Sequence, residues 1–251
     1  MKPAESPCLV IPDVHQDIEW AETILRAEAD SVEEVVFLGD YFDPKRGSAA
    51  SPAQTADYFS QLSGSFSCAF TFLVGNHDLP YLFDALHGTP SFPFTKNPYS
   101  TNSYSPVTSR EIEPLLSQHF LSSLEPFALR HGWLLSHAGL HRDYLYDTDL
   151  EALQRELKAQ LAELPLDPHP ALAAIGRARG GGDRFGGVTW QDWRHEFEDC
   201  QAWPQLVGHT VVPEPERNGR SWNLDTRQNH YALLTSAGLE IRSAVRPATN
   251  R

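Results

Sequence analysis

Five short polar motifs each follow an apolar run, and together they could supply the ligands of a metal site. The motifs are Asp13-Val14-His15, Gly39-Asp40-Tyr41-Phe42-Asp43, Gly75-Asn76-His77-Asp78, His137-Ala138-Gly139 and Gly208-His209-Thr210. Neutral imidazoles, carboxylates and one amide make a mixed nitrogen and oxygen donor set without a thiolate. Such a set suits manganese, iron, zinc or a similar divalent ion.

The motifs offer more ligands than one ion needs. A site with two ions roughly 3.5–4 Å apart would use most of them. A pair of ions lowers the pKa of a bridging water, so that a nucleophilic hydroxide exists near neutral pH, and it holds two oxygens of a phosphoryl group during in-line attack. The ligand types therefore indicate metal-dependent phosphoryl chemistry.

The apolar runs before the first three motifs predict buried strands at residues 8–11, 35–38 and 69–74, with helices at residues 17–29 and 52–62 between them. Strands that alternate with helices favour a largely parallel α/β sheet, and such sheets bind ligands at the carboxyl ends of their strands. We therefore expect the polar motifs to meet at one edge of the fold.

The rest of the chain predicts further elements and two specificity loops. We expect helices at 109–118, 149–163 and 170–177, strands at 128–130, 133–136 and 205–207, an antiparallel meander at 221–225, 231–234 and 239–241, and irregular loops at 88–108 and 179–187.

Composition predicts one domain over residues 1–251, with its core at about 8–243 and a flexible tail from 244 to 251. The net charge of −13 argues against broad binding to long nucleic acid or to anionic membrane. We expect no membrane span, because no window reaches roughly 18 apolar residues. An odd count of three cysteines, and a start without an apolar signal core, favour a cytoplasmic protein with reduced thiols.

In the order and spacing of its motifs the chain resembles the calcineurin-like metallophosphoesterases, nearest to the protein-phosphatase and dinucleoside-polyphosphate hydrolase branches. That family carries Asp-x-His, Gly-Asp-x-x-Asp, Gly-Asn-His-(Asp/Glu), a His-(Ala/Gly)-Gly block and a late Gly-His block. Each block alone is weak, but here all five stand in order over about residues 8–240. The resemblance implies an α/β fold of two mixed β-sheets packed as a sandwich and flanked by helices.

The resemblance also implies a role for each motif residue. Asp13 and His15 would hold a first metal ion, Asp40 would bridge both ions, and Asn76, His137 and His209 would complete the second site. His77 would donate a proton to the leaving oxygen, and Asp43 would orient His77. The two ions would be divalent, with Mn²⁺ as the first expectation and iron, zinc, nickel or cobalt as alternatives.

Three positions depart from the family pattern. Gln16 follows Asp-x-His where glycine is common. Pro44 stands where protein-phosphatase relatives have the arginine that clamps phosphate, so that Arg46, Arg179 and Arg184 are the candidate substrate-binding residues. Val211 replaces a histidine found in many phosphodiesterase relatives, so we expect the first ion to be the more weakly held.

The sequence thus predicts an enzyme that hydrolyses a phosphomonoester or a nucleotide phosphoanhydride through a metal-activated hydroxide. A serine/threonine phosphoprotein phosphatase remains an alternative, as does a non-catalytic metal-binding scaffold, because fold alone does not fix function. Each motif in isolation could be a turn or a helix cap, and only their joint occurrence favours the metal site. The oligomeric state stays open.

Overall fold

The computed structural model describes residues 7–45, 50–88, 97–145, 148–200 and 202–244. Within these ranges the strands are β1 (Cys8–Ile11), β2 (Glu34–Phe37), β3 (Ala69–Leu73), β4 (Leu124–Glu125), β5 (Phe127–Arg130), β6 (Trp133–Ser136), β7 (Gln205–Val207), β8 (Glu216–Asn218), β9 (Ser221–Asn223), β10 (His230–Thr235) and β11 (Gly238–Ser243). The helices are α1 (Ile18–Glu28), α2 (Pro52–Gln61), α3 (Leu79–His87), α4 (Pro106–Ile112), α5 (Gln118–Ser123), α6 (Arg142–Leu145), α7 (Leu150–Glu163) and α8 (Pro170–Ala173).

The strands form two mixed sheets. The first has the order β11-β10-β1-β2-β3-β4, in which β1 to β4 run parallel to one another and β10 runs antiparallel to β1. The second has the order β5-β6-β7-β9-β8, with β6, β7 and β9 parallel to one another and the outer strands antiparallel to their neighbours. The predicted α/β class with two mixed sheets flanked by helices is therefore confirmed.

Alternate residues of each strand enter different parts of the core, because successive side chains of a strand point to opposite faces. Val10 of β1 belongs to a buried cluster that contains Val36 of the first sheet and Leu135 of the second. Leu9 of β1 belongs to another cluster, which includes Leu25 of α1. The first sheet thus packs on the second sheet with one face and on helices with the other.

Local signals in the sequence fix where the first helices begin. The Asp17 side chain accepts a hydrogen bond from the backbone N–H of Trp20, and it starts α1 directly after the first motif. At α2, Ser51 and Gln54 form a reciprocal capping box and Pro52 occupies the first turn. Each of these helices therefore begins after a strand and its polar motif.

Most predicted elements match within one or two residues, and the exceptions have physical causes. Helix α3 was not predicted, because it is buried on most of its surface and shows no polar stripe. The helix expected at 109–118 ends as an α-helix at Ile112, because a 3-10 turn at Glu113–Leu115 contains Pro114, which has no backbone N–H to donate, and α5 begins only at Gln118. The helix expected at 170–177 already ends at Ala173, because Ala174 takes an extended backbone with ψ of 137°.

The predicted C-terminal meander is right for its last two strands and wrong for the first. β9 pairs in parallel with β7 in the second sheet, whereas β10 and β11 form a hairpin on the first sheet beside β1. Alternation along each segment shows that it is a strand, but it does not show which sheet receives it.

The predicted loops and tail fall partly outside the described residues. Residues 97–105 contain no helix or strand, as expected, and α4 begins at Pro106; residues 89–96 are not described. Residues 245–251 of the predicted tail also lie outside the described residues. Among the described helices the longest has 14 residues, and none is long and apolar enough to cross a membrane.

Candidate metal centre

The five motifs lie at the carboxyl ends of five strands that meet at one edge of the two sheets. The first three motifs follow β1, β2 and β3, and the last two follow β6 and β7. Because the neighbouring strands in each set run parallel, their carboxyl ends point the same way. The fold therefore brings together residues that are up to 196 positions apart, such as Asp13 and His209.

Five of the six residues predicted as metal ligands form two overlapping groups. Donor atoms of Asp13, His15 and Asp40 all lie within 4.8 Å of one another, and so do those of Asp40, His137 and His209. Asp40 belongs to both groups. The side-chain oxygen of Asn76 lies 3.0 Å from Nε2 of His137, next to the second group.

Backbone carbonyls fix the tautomers of two of these histidines. Nδ1 of His15 lies 3.1 Å from the carbonyl oxygen of Phe42, and Nδ1 of His137 lies 3.0 Å from that of Leu38. A carbonyl can only accept, so each Nδ1 carries the proton and each Nε2 presents a lone pair. Burial lowers the pKa of His15 to about 4 and also lowers that of His137, so both rings are neutral at pH 7.

The lone pair of His137 faces other acceptors. Its Nε2 lies 3.0 Å from Oδ1 of Asn76 and 3.4 Å from Oδ1 of Asp40. The buried Nε2 of His209 has no hydrogen-bond partner among the described residues. Converging lone pairs repel one another unless a cation lies between them, and this donor set therefore fits a metal ion.

Crowded carboxylates give the same indication. Asp13, Asp40 and Asp225 are each no more than 3% exposed. Burial and then the negative charges of Asp225 and Asp40 raise the pKa of Asp13 well above its ordinary value. Burial raises the pKa of Asp225 to about 6. Divalent ions would offset these charges and stabilise all three carboxylates in their ionised form.

Two glycines allow the ligand carboxylates to approach the backbone. A Cβ atom at Gly75 would lie 2.2 Å from Oδ1 of Asp40, and one at Gly208 would lie 1.9 Å from Oδ2 of Asp13.

Positive φ angles, between 46° and 67°, occur at four motif residues: His15, Asp40, Asp43 and His209. Non-glycine residues in this region are strained, and such strain concentrates at functional sites.

His77 is oriented by the second aspartate of the second motif. Its Nδ1 lies 2.7 Å from Oδ2 of Asp43, and Oδ1 of Asp43 accepts a 2.5 Å hydrogen bond from the Tyr81 hydroxyl. Burial alone would raise the pKa of Asp43, but the hydrogen bonds from His77 and Tyr81 outweigh it and lower the pKa. The carboxylate is thus ionised and holds Nδ1 of His77, so that Nε2 faces the cavity.

Asp78 holds the second and third motifs together. Its two oxygens accept 2.8 Å hydrogen bonds from the backbone N–H groups of Asp40, Tyr41 and Gly75. The backbone N–H of His77 in turn donates to Oδ1 of Asp40. Asp78 therefore positions the shared ligand, a role that its place in the third motif signals but that the sequence analysis did not assign.

A cavity of about 520 Å³ opens over this cluster. Its floor includes His15, Asp40, Asn76, His77 and His209, while Asp13 and His137 lie beneath. The walls carry Lys45, Thr101, Asn102, Ser103, Arg179, Trp190, Asp192, Arg194, His195, Thr210, Val211 and Asp225. Both predicted specificity loops, at 88–108 and 179–187, thus contribute to the cavity.

The three candidate phosphate-binding arginines differ in position. Arg179 lines the cavity, where its Nε lies 2.9 Å from Oδ2 of Asp192 and its Nη2 donates to Oγ1 of Thr210 over 2.6 Å. Arg184 is 78% exposed, faces Asp143 and does not line the cavity. Arg46 lies outside the described residues.

Sequence reasoning missed several cavity residues, and three of them lie next to His77 or to the ligand carboxylates. Nζ of Lys45 lies 3.1 Å from Nε2 of His77, and the hydroxyl of Ser103 lies 3.1 Å from Nδ1 of the same ring. Asp225 faces the ligand carboxylates. Asp225 follows β9 directly, so its position after an apolar strand was a usable signal. Lys45 and Ser103 lie in irregular loops without any periodic signal.

Comparisons with known proteins agree with this geometry. A family model described as calcineurin-like phosphoesterase matches residues 6–213. Among solved structures, a cold-active protein-tyrosine phosphatase from a psychrophilic Shewanella species matches with a TM-score of 0.60 and 15% identity, over 96% of this chain and 80% of that one. A protein serine/threonine phosphatase from Saccharomyces cerevisiae matches with a TM-score of 0.55 and 16% identity, over 98% and 82%. At such identities the two structures show a shared fold. A search of curated proteins gave no match.

Proposed function

The chain belongs to the calcineurin-like phosphoesterase family and is a phosphoric ester hydrolase, and from this premise we propose that it hydrolyses a phosphomonoester or a nucleotide phosphoanhydride with two divalent metal ions. The observation that carries the proposal is the convergence of the two ligand groups on Asp40, with the oriented His77 beside them. A non-catalytic scaffold would not need an oriented proton donor at the ligand cluster.

The ligands divide as the two groups suggest. Asp13, His15 and Asp40 would hold one ion, and Asp40, Asn76, His137 and His209 the other. Bound ions would acidify a water and neutralise charge on the phosphoryl group. Mn²⁺ is our first choice, because carboxylate, amide and imidazole ligands suit it, but the same donors also accept iron or zinc.

His77 supplies the proton that the leaving oxygen takes when its bond to phosphorus breaks. An alkoxide leaves poorly, and a positioned general acid is typically worth roughly 10²–10⁴-fold in rate. Asp43 keeps a proton on Nδ1 and stabilises the imidazolium that forms when Nε2 is protonated. Tyr81 in turn keeps Asp43 in place through its hydroxyl.

Arg179 is the residue that we assign to the transferred phosphoryl group. A guanidinium has five N–H donors. One of them, on Nη2, donates to Thr210, and the guanidinium also forms an ion pair with Asp192. The remaining donors are held at the cavity wall by these two partners. A fixed guanidinium binds two phosphate oxygens at once, which is why arginine is common at phosphate sites.

The test is hydrolysis of a panel of aryl phosphates of increasing leaving-group pKa, with the Mn²⁺-loaded protein. We expect activity that disappears on chelation and returns with metal. His77→Ala should lose roughly 10²–10⁴-fold on the poorest leaving group and far less on the best one. Equal activity after thorough chelation would refute the metal-dependent mechanism, and a uniform loss across the panel would refute the role of His77.

A further inference from the structure

We propose that Lys45 binds the leaving group of the substrate and selects leaving groups that carry negative charge of their own. The class of substrate is a phosphoanhydride, such as inorganic triphosphate, whose leaving group is pyrophosphate. The inference rests on the proposed function, because it uses the same site and takes His77 as the proton donor.

The position of Lys45 next to His77 carries the inference. Asp43 holds Nδ1 of His77, so a proton that passes to the leaving oxygen departs from Nε2. Nζ of Lys45 lies 3.1 Å from that nitrogen and lines the same cavity. An ammonium can only donate, so in this contact Nε2 accepts from Lys45. When Nε2 carries a proton, the leaving oxygen that receives it is an acceptor within reach of the Lys45 ammonium.

Lys45 and Arg179 act on different sides of the ligand cluster. Nζ of Lys45 contacts His77, whereas the guanidinium of Arg179 contacts Asp192 and Thr210. Arg179 is held by Thr210, next to His209, and is already assigned to the transferred phosphoryl group. Among the described residues, Lys45 is the lysine that contacts His77.

The surroundings of Lys45 are polar rather than apolar. Ser103 contacts His77, and its neighbours Thr101 and Asn102 also line the cavity. The aromatic side chain of the cavity, Trp190, instead packs against His209 with 5.8 Å between ring centroids. An ammonium with hydroxyl and amide groups suits phosphate oxygens better than an apolar aryl or alkyl group.

The reaction on such a substrate balances without a further reactant. A water oxygen forms a bond to the terminal phosphorus while the bond from that phosphorus to the bridging oxygen breaks. The bridging oxygen leaves with the electron pair as part of pyrophosphate and takes the proton of His77 Nε2, next to the Lys45 ammonium. The attacking water gives up one proton to the solvent, and the imidazole takes one back from the solvent. The products of triphosphate and water are pyrophosphate and phosphate.

The experiment compares two substrates that differ in leaving-group charge, phenyl phosphate and inorganic triphosphate, with the metal-loaded full-length protein. Lys45→Met should lower kcat/KM roughly 10–100-fold for triphosphate, as expected for a lost hydrogen bond to a charged group, and less than about 3-fold for phenyl phosphate. Lys45→Arg should restore most of the triphosphate activity. Lys158→Met is the matched control, because Lys158 pairs with Glu125 at the surface and does not line the cavity.

The outcomes separate this inference from the proposed function. Equal losses on both substrates, or no loss on triphosphate, would overturn the role of Lys45 while leaving the hydrolase intact. A wild-type protein that hydrolyses neither substrate with metal would instead overturn the proposed function. In that case calorimetric measurement of pyrophosphate binding still tests the role of Lys45. Pyrophosphate binding that is weakened roughly 10-fold or more in Lys45→Met, but not in Lys158→Met, supports the contact. Unchanged binding in Lys45→Met refutes it.

Discussion

Nδ1 of His77 lies 2.7 Å from Oδ2 of Asp43, and this contact decides which nitrogen of His77 reaches the cavity. Asp43 is buried and ionised, because the hydrogen bonds from His77 and Tyr81 lower its pKa against the effect of burial. A carboxylate in this position fixes the imidazole and stabilises its protonated form. The relationship therefore links a residue after β2 to the proton transfer that we propose for a residue after β3.

Replacing Asp43 should slow the chemical step more than it weakens substrate binding. Asp43→Asn keeps the shape of the side chain but removes the charge that supports protonated His77, so we expect kcat to fall roughly 10²–10⁴-fold with a small change in KM. Steady-state kinetics at constant metal content test this. Tyr81→Phe, which leaves the carboxylate in place, should cost less than about 10-fold; wild-type kcat in Asp43→Asn would contradict the assignment.

Removing the Arg179 guanidinium should weaken substrate binding. Hydrogen bonds to charged groups are worth about 1.5–3 kcal/mol, so Arg179→Met should raise KM roughly 10–100-fold. Arg184→Met is the matched control, because Arg184 is largely exposed and lies outside the cavity. Similar KM values for the two variants would show that Arg179 does not contact the phosphoryl group.

The two ligand groups predict how metal content changes with mutation. Asp40 belongs to both groups and His15 to one, so Asp40→Ala should lose both ions whereas His15→Ala should lose one. Elemental analysis after dialysis measures the ratio of metal to protein. His119→Ala, at an exposed position, should keep the wild-type ratio. Loss of both ions from His15→Ala would mean that the two sites are not independent.

Asp225 should destabilise the metal-free protein at neutral pH. Its pKa is raised from 3.8 to about 6, chiefly by burial, so the folded state binds the proton more tightly than the unfolded state does. The resulting stability is present below about pH 4 and is lost as pH rises through about 6. Two pKa units correspond to on the order of 3 kcal/mol.

Asp225→Asn removes this titration and keeps the acceptor for the backbone N–H of Arg227. We therefore expect the metal-free variant to have a Tm on the order of 5–10 °C above that of wild type at pH 7.5, and no such gain at pH 4. Thermal melts at both pH values test this. Bound Mn²⁺ should reduce the gain, because the ions stabilise the ionised carboxylate. A larger gain in Tm at pH 4 than at pH 7.5 would contradict this prediction.

The sequence was informative wherever the signal was local. Asp13, Asp40, Asn76, His137 and His209 each follow an apolar strand closely, so strand order and residue type were enough to place them at one edge of the sheets. The glycines of the same motifs are explained by the structure, since Gly75 and Gly208 leave room for the carboxylates of Asp40 and Asp13.

Helix α3 and the C-terminal strands show where local signals fail. The first is buried on most sides and lacks the polar stripe that marks an amphipathic helix. The C-terminal strands show the alternation of side chains that is expected of strands, yet β9 and β10 belong to different sheets. Burial and pairing partner are properties of the whole fold, and neither leaves a mark in a short window of sequence.

By itself, then, the sequence determined the family and predicted the ligand set and the proton donor, because these predictions depend on residue types at fixed distances from strand ends. Only the tertiary structure decided which cations reach the cavity. Lys45 meets His77 from 32 positions away and Arg179 meets Thr210 from 31, whereas Arg184 turns toward Asp143 at the surface. Long side chains on irregular loops have no periodic signal, and where their charged ends lie depends on the path of the backbone and on the partners that it supplies.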